Sequence, residues 1–153
     1  MAFLVVTRLR LRDPGYLDEF VESAFAVVDQ ANNSEGNLGA EVLADADQTY
    51  WTRTAWTDRD AMRDFMISEP HLGTMGHLST WCDEATFVDW EQDKPDLPDW
   101  QAAFDRLINE GQVAPVDHPS ENHESRAFPP PVDPKSSLTA IDPVWPHWRC
   151  RVI

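Results

Sequence analysis

Residues 3–31 of the chain, FLVVTRLRLRDPGYLDEFVESAFAVVDQA, contain the two patterns that decide the fold. Residues 3–12 alternate between two sides with a period of two, which predicts a β-strand. Asp13 and Pro14 then provide a helix start, and apolar residues recur at spacings of three and four from residue 17 to residue 31. The stretch therefore predicts a strand followed by an amphipathic helix.

The same periodicities continue to residue 91 and complete the order β α β β α β. The second and third strands are separated by a short acidic turn, which predicts a hairpin. This order indicates a ferredoxin-like α+β fold, an antiparallel sheet with both helices on one face. Strands are predicted at 3–12, 38–43, 50–56 and 86–90, and the second helix at 61–82 with an interruption at Pro70.

The prolines divide the chain, since two of the 12 lie before residue 92 and eight lie between Pro115 and Pro146. We predict that residues 1–91 form the α+β domain and that residues 92–111 form a linker and a docking helix. We predict that residues 112–153 form a proline-rich extended arm that wraps around this domain. The aromatic anchors of this arm are expected to be Phe128, Trp145 and Trp148.

One face of the predicted sheet has no helix to cover it. Leu4, Val6, Arg8 and Arg10 share this face, and with aromatic rings from other strands they would form an apolar patch too large for a monomer. We expect a second copy to cover it. The resulting homodimer would be an α+β barrel with a ligand pocket inside each sheet.

The charge balance argues against several classes of partner. The 153 residues include 27 Asp and Glu against 12 Lys and Arg, which gives a net charge of -15. Such a chain repels phosphate backbones and anionic lipid, so we expect a small-molecule substrate and neither nucleic acid nor membrane. The absence of a signal-peptide pattern, of a long apolar run and of a CxxC pair predicts a cytoplasmic protein with free thiols.

Common catalytic motifs do not occur. The sequence contains no GxGxxG, P-loop, GxSxG or HExxH pattern, which argues against nucleotide-dependent enzymes, hydrolases with a nucleophile elbow and zinc proteases. His118, Glu121 and His123 resemble a two-histidine, one-carboxylate metal site. Because they lie in a proline-bounded turn without a rigid element, we expect capping and loop hydrogen bonds there and predict no metal site.

Two histidines on one predicted helix are candidates for acid–base catalysis. His71 and His77 are six residues apart, which places them about 120° apart around the helix axis, so they cannot share a metal. Either one could face a pocket. The alternative is that one packs or caps while the other is solvated.

Arginine and aromatic side chains provide the remaining candidates. Arg8 lies in the middle of a strand and could orient an anion through two parallel hydrogen bonds, whereas surface ion pairing is the alternative. Tyr50 is a candidate proton donor. The aromatic candidates could line a ligand pocket, but large rings also fill ordinary hydrophobic cores, so packing is the alternative. The predicted substrate-binding residues are Trp51, Arg53, Trp56 and Trp81.

Residues 54–66, TAWTDRDAMRDFM, followed by His71 and by WCDEA at 81–85, resemble the antibiotic biosynthesis monooxygenase-like superfamily. Within it, the chain is similar to an uncharacterised, spheroidene monooxygenase-like branch, and residues 98–120 share that similarity. The resemblance covers residues 1 to about 125. It implies a dimeric α+β barrel that acts on a small, often aromatic or polyketide-like molecule.

The resemblance implies three hypotheses, and the fold does not choose between them. The first is a cofactor-independent monooxygenase of secondary metabolism, or a related cyclase or isomerase. In it His71 or His77 is the base, Arg8 stabilises the substrate anion and Trp56 stacks on the ring. The second is a haem-binding oxidoreductase with His71 or His77 as axial ligand and Arg8 or Arg53 on a propionate. The third is a non-catalytic metabolite-binding module.

Overall fold

The computed structural model describes residues 1–132 and the backbone of residues 137–138. A short 3-10 turn over Pro14–Tyr16 precedes the first helix. The strands are β1 Ala2–Leu11, β2 Asn37–Ala44, β3 Thr49–Trp56, β4 Cys82–Gln92, β5 Gln112–Val113 and β6 Ser137–Leu138. The helices are α1 Leu17–Asn32, α2 Arg59–Met66, α3 His71–Trp81, α4 Trp100–Glu110 and α5 Glu121–Ser125.

These strands form one antiparallel sheet in the order β5-β4-β1-β3-β2-β6. At its centre, Thr7 of β1 lies opposite Thr52 of β3 on one side and Phe87 of β4 on the other. The inner order β4-β1-β3-β2 is the ferredoxin-like arrangement. The predicted fold class is therefore confirmed.

Two element boundaries differ from the sequence prediction. The Asp13 side chain accepts a hydrogen bond from the Gly15 N–H at 2.7 Å and caps the 3-10 turn, so α1 begins only at Leu17. Strand β4 begins at Cys82, four residues earlier than its apolar alternation indicates. Its first residues pair with the end of β1, and this ladder outweighs the weak strand preference of the acidic residues there.

Helices α1, α2 and α3 cover one face of the sheet. At one end of this face, Phe3 and Trp56 pack against Met62 and Phe65 of α2. At the other end, Leu11 and its strand neighbours pack against α1 and the end of α3. The middle of the face carries the candidate site described below.

The opposite face is covered by α4 of the same chain. Val6 and Trp51 are fully buried there against Trp100, Ala103 and Leu107. The predicted bare face was therefore wrong, because the amphipathic docking helix packs on its own sheet. The apolar patch that led us to expect a second copy is absent from this face, and the homodimer stays a prediction.

The beginning of the predicted arm also packs on the sheet. Strand β5 pairs with β4, and His123 of α5 and Phe128 are buried. The Phe128 ring lies 5.1 Å from the Arg8 guanidinium. Trp145 and Trp148 lie outside the described residues. Within the described part of the chain, no helix combines the length and apolar character that crossing a bilayer requires.

Candidate functional site

Three adjoining cavities lie between the sheet and helices α1 to α3. Their volumes are about 170, 90 and 80 Å³. Thr7 borders the 170 and 80 Å³ cavities, Thr52 borders the 90 and 80 Å³ cavities, and Leu78 of α3 borders the 170 and 90 Å³ cavities. The three therefore meet over the centre of the sheet, and we call them together the central cleft.

The walls of the central cleft are mainly apolar. From the helices, Met62, Met66 and Met75 line it, and these flexible thioether side chains adapt to irregular ligands. An apolar cavity of on the order of 150 Å³ accommodates benzene, so the largest cavity has room for one aromatic ring. An apolar cleft with a few polar groups is the usual form of a small-molecule site.

His71 is a titratable side chain that borders the central cleft. Its ring lines the 90 Å³ cavity, packs 4.6 Å from the Phe65 ring centroid and places Nδ1 3.1 Å from the Met66 carbonyl oxygen. If Nδ1–H donates to this carbonyl, Nε2 is left free to accept a proton. Burial lowers the pKa of His71 despite the opposing effect of the Met66 hydrogen bond, so the imidazole is neutral at pH 7.

Gln30 of α1 fixes the position of His71. Its Oε1 accepts a hydrogen bond from the His71 backbone N–H at 2.8 Å. Its Nε2 donates to the carbonyl oxygens of Phe65 and Ser68 at 3.1 and 3.2 Å. One amide thereby ties the α2–α3 connection to α1, and nothing in the local sequence pattern distinguishes this glutamine from a solvated one.

Tyr50 and Trp56 lie in the same cleft as His71. Tyr50 lines the 90 Å³ cavity, and burial raises its pKa to about 12, so its hydroxyl stays protonated. Trp56 lines the 80 Å³ cavity and donates from Nε1 to the Thr54 hydroxyl oxygen at 2.9 Å. The structure thus brings together three of the predicted site residues.

Arg8, Arg53 and Trp51 lie on the opposite face of the sheet, beneath α4. The Arg8 guanidinium pairs with Glu84 at 2.5 Å, and Arg53 pairs with Glu41. The central cleft therefore does not lie on the face of Arg8, and the predicted roles of these three residues stay predictions. The reason is that α4 fills this face, so neither guanidinium reaches the central cleft.

Residues 2–76 match the family model of the antibiotic biosynthesis monooxygenases. This part of the chain is therefore similar to the antibiotic biosynthesis monooxygenase family. It holds most of the central cleft, including His71, Tyr50 and Trp56. The narrower branch predicted from the sequence stays a prediction.

Solved structures share the fold of the α+β part of this chain. Rv0793 from Mycobacterium tuberculosis is 12% identical with a TM-score of 0.56, and the match covers 63% of this chain and 100% of that one. A conserved protein from Methanosarcina mazei Go1 is 17% identical with a TM-score of 0.55, covering 61% and 94%. SnoaB, a cofactor-independent oxygenase from Streptomyces nogalater, is 19% identical with a TM-score of 0.50, covering 62% and 98%. No curated protein matches the chain.

His77 and Trp81 lie outside the central cleft. The exposed His77 ring stacks on Trp81 at a centroid distance of 5.0 Å, in a separate open groove beside Glu19 and Glu22 of α1. The six-residue spacing of the histidines explains this, since it turns them toward different surroundings. Of the two histidine candidates, His71 is the one that faces the cleft.

The remaining candidates behave as packing residues. Cys82 is buried, and burial raises the pKa of its thiol to about 12, which suits a core residue. His123 accepts a hydrogen bond from the Ala85 N–H at 3.3 Å through Nδ1. Among the described residues, no group of three His, Cys, Asp or Glu side chains is placed to hold a metal ion.

Sequence reasoning missed the role of Glu84. This fully buried carboxylate binds Arg8, Arg10 at 3.2 Å and the Ser120 hydroxyl at 2.8 Å. Burial alone would raise the pKa of Glu84, but the hydrogen bonds from Arg8 and Ser120 outweigh it and lower the pKa. An arginine on the apolar face of β1 requires such a partner, and the register that supplies it is visible only in the fold.

Proposed function

We propose that the protein is a cofactor-independent monooxygenase of secondary metabolism, or a related cyclase or isomerase, with an aromatic or polyketide-like substrate. The observation that carries this proposal is His71, a neutral base held inside an apolar cleft of ring-sized volume. The cofactor independence of SnoaB, which has the same fold, supports it.

In this proposal, Nε2 of His71 takes a proton from a CH₂ group that a ring ketone has made acidic. The resulting anion reacts with O₂, and return of the proton from His71 gives a hydroperoxide on the same carbon. Loss of water then leaves a ketone there. One oxygen atom enters the product and the other leaves as water, so no external reductant is required.

Tyr50 and Trp56 support this chemistry in different ways. The Tyr50 hydroxyl stays protonated at neutral pH, so it can donate a hydrogen bond to oxygen anions that form beside His71. Trp56 is fully buried with its ring 4.9 Å from that of Phe65, which makes it a fixed wall for a planar substrate.

The residues of the central cleft do not fit haem. The Met66 carbonyl on His71 Nδ1 would suit an axial ligand. However, no Arg or Lys of the described residues lines any of the three cavities. Arg8 and Arg53, which the haem hypothesis placed beside the propionates, pair with Glu84 and Glu41. Burying two propionates without cationic partners would be costly. We therefore derive no step through haem.

Oxygen uptake with anthrone tests the proposal, because its CH₂ group is acidified by a ring ketone and its product is the quinone. We expect uptake of one O₂ per quinone formed. The variant His71→Gln should lower kcat by about 10²- to 10⁴-fold, the usual contribution of a positioned general base. His77→Gln is the matched control, since that ring lies in the outer groove, and should change kcat by less than about twofold.

Two outcomes would contradict the proposal. If His71→Gln and His77→Gln lowered kcat equally, His71 would have no special role in the reaction. Binding of aromatic compounds without any oxygen uptake would favour the non-catalytic metabolite-binding module. The cytoplasmic location stays a prediction, and the predicted homodimer would have to form through a surface other than the face beneath α4.

A further inference from the structure

Two threonines lie side by side where the three cavities of the central cleft meet. Thr7 and Thr52 are directly opposite each other in the β1–β3 ladder. Both side chains line the cleft, and each borders two of its cavities. Opposite residues on one face of an antiparallel pair have Cβ atoms about 5 Å apart, so both hydroxyls can reach the same ligand atom.

Both hydroxyls lack a hydrogen-bond partner in the described part of the chain. Among residues 1–132, the Thr7 and Thr52 side chains form no hydrogen bond, whereas the neighbouring Thr54 hydroxyl accepts one from Trp56. Thr7 and Thr52 are only partly buried, and neither hydroxyl is among the buried side-chain atoms that lack a partner, so both face open space in the cleft. Both hydroxyls are therefore available to a polar atom of a ligand.

We propose that Thr7 and Thr52 form a subsite of the central cleft that binds the carbonyl or hydroxyl oxygen atom of an uncharged aromatic substrate. This inference rests on the proposed function, because it takes that substrate as the occupant of the cleft. A threonine hydroxyl donates and accepts, so the pair can bind a ketone oxygen and also the oxyanion that forms when His71 removes a proton. The pair would thus stabilise the substrate anion, the role predicted for Arg8 from the sequence.

The charges around the cleft disfavour anionic substrates. No cationic side chain of the described residues lines its three cavities, so a carboxylate on the substrate would be buried without a partner. Asp89 borders the largest cavity, and its carboxylate adds repulsion for an anion. Aromatic acids should therefore be excluded, whereas phenols and ring ketones are accepted.

Equilibrium dialysis with three probes tests the subsite at pH 7: 2-naphthol, naphthalene and 2-naphthoate. We expect 2-naphthol to bind at least about fivefold more tightly than naphthalene, and 2-naphthoate to bind least. Thr7→Val and Thr52→Val should each weaken 2-naphthol binding by about fivefold, the usual effect of one neutral hydrogen bond. Both should leave naphthalene binding within about twofold of the unsubstituted chain.

Matched variants separate the hydroxyls from packing. Thr7→Ser and Thr52→Ser retain the hydroxyl and should retain the preference for 2-naphthol. Thr57→Val changes an exposed threonine and should change neither affinity. The subsite is refuted if naphthalene binds the unsubstituted chain as tightly as 2-naphthol, or if the valine variants weaken both probes equally. If a valine variant fails to fold, the comparison of 2-naphthol with naphthalene on the unsubstituted chain and on the serine variants still tests the subsite.

The outcome is separable from that of the oxygenase proposal. Hydroxyl-dependent binding without oxygen uptake would retain the subsite and refute the oxygenase. Oxygen uptake that depends on His71 but is unchanged in both valine variants would retain the oxygenase and refute the subsite.

Discussion

Replacing Glu84 with glutamine should strongly destabilise the protein, because Arg8 would remain buried without an anionic partner. Both side chains are at most 3% exposed, and Glu84 is the one carboxylate within 4.0 Å of Arg8 in the described part of the chain. Breaking such a pair from one side usually costs about 3–5 kcal/mol. Contacts of the guanidinium with the Trp51 and Phe128 rings remain and offset part of this loss.

We therefore expect Glu84→Gln to lower the free energy of unfolding by about 3 kcal/mol, measured by urea denaturation. Loss of the Arg10–Glu84 ion pair contributes less to this destabilisation, since Arg10 is 28% exposed and retains Asp47 and Asp83 within 4.0 Å. Glu91→Gln, on the exposed part of the same strand, is the control and should stay within about 0.5 kcal/mol. A loss below about 1 kcal/mol for Glu84→Gln would refute the reasoning.

A second substitution and a pH series sharpen this test. Adding Arg8→Met to Glu84→Gln removes the buried charge, so the double variant should be more stable than Glu84→Gln alone. Because the folded pKa of Glu84 is lowered, its stabilising contribution is fully present above its unfolded pKa of about 4.3 and is lost as the pH falls through the folded value. Glu84→Gln should lack this part of the acid-induced loss of stability.

Three further predictions follow from other parts of the structure. Because His71 must be neutral to act as a base and burial lowers its pKa, kcat/KM should rise with pH through a value below 6.5 and reach a plateau at neutral pH; a profile unchanged in shape by His71→Gln would contradict this. Trp100→Ala should lower the free energy of unfolding by about 3–5 kcal/mol in urea, since this ring anchors α4 and is 4% exposed; a loss below about 1 kcal/mol would show that α4 is not docked as described. Protein from cells supplied with a haem precursor should show no stoichiometric Soret band, and a band that His71→Ala abolishes would overturn our rejection of haem.

The sequence was sufficient to predict the ferredoxin-like order, because a period of two in β1 and apolar spacings of three and four in α1 are local signals. It also predicted the amphipathic helix at 100–110. It did not show which surface that helix covers, since docking depends on contacts between residues far apart in the chain. That missing contact made the face of Leu4 and Val6 appear bare and led us to expect a second copy there.

The candidate site was predicted in part for the same reason. Tyr50 and Trp56 were assigned correctly to one side of β3, and His71 was one of two histidines that the helix spacing left open. Arg8 was placed on its correct face, but the central cleft is on the other. Thr7 and Thr52 carry no signal of their own, because their importance depends on the β1–β3 register and on the absence of a partner in the described structure.

The central claim is that ligands bind in the cleft between the sheet and helices α1 to α3, and the methionine methyl groups report on it directly. The chain has four methionines. Met62, Met66 and Met75 line the cleft, whereas Met1 is 80% exposed and serves as an internal control. With ¹³C-methyl-labelled methionine and assignment by Met→Leu variants, titration of 2-naphthol should shift the three cleft signals and leave Met1 unchanged. Saturable binding that leaves the three cleft signals unshifted would place the ligand elsewhere and contradict the account.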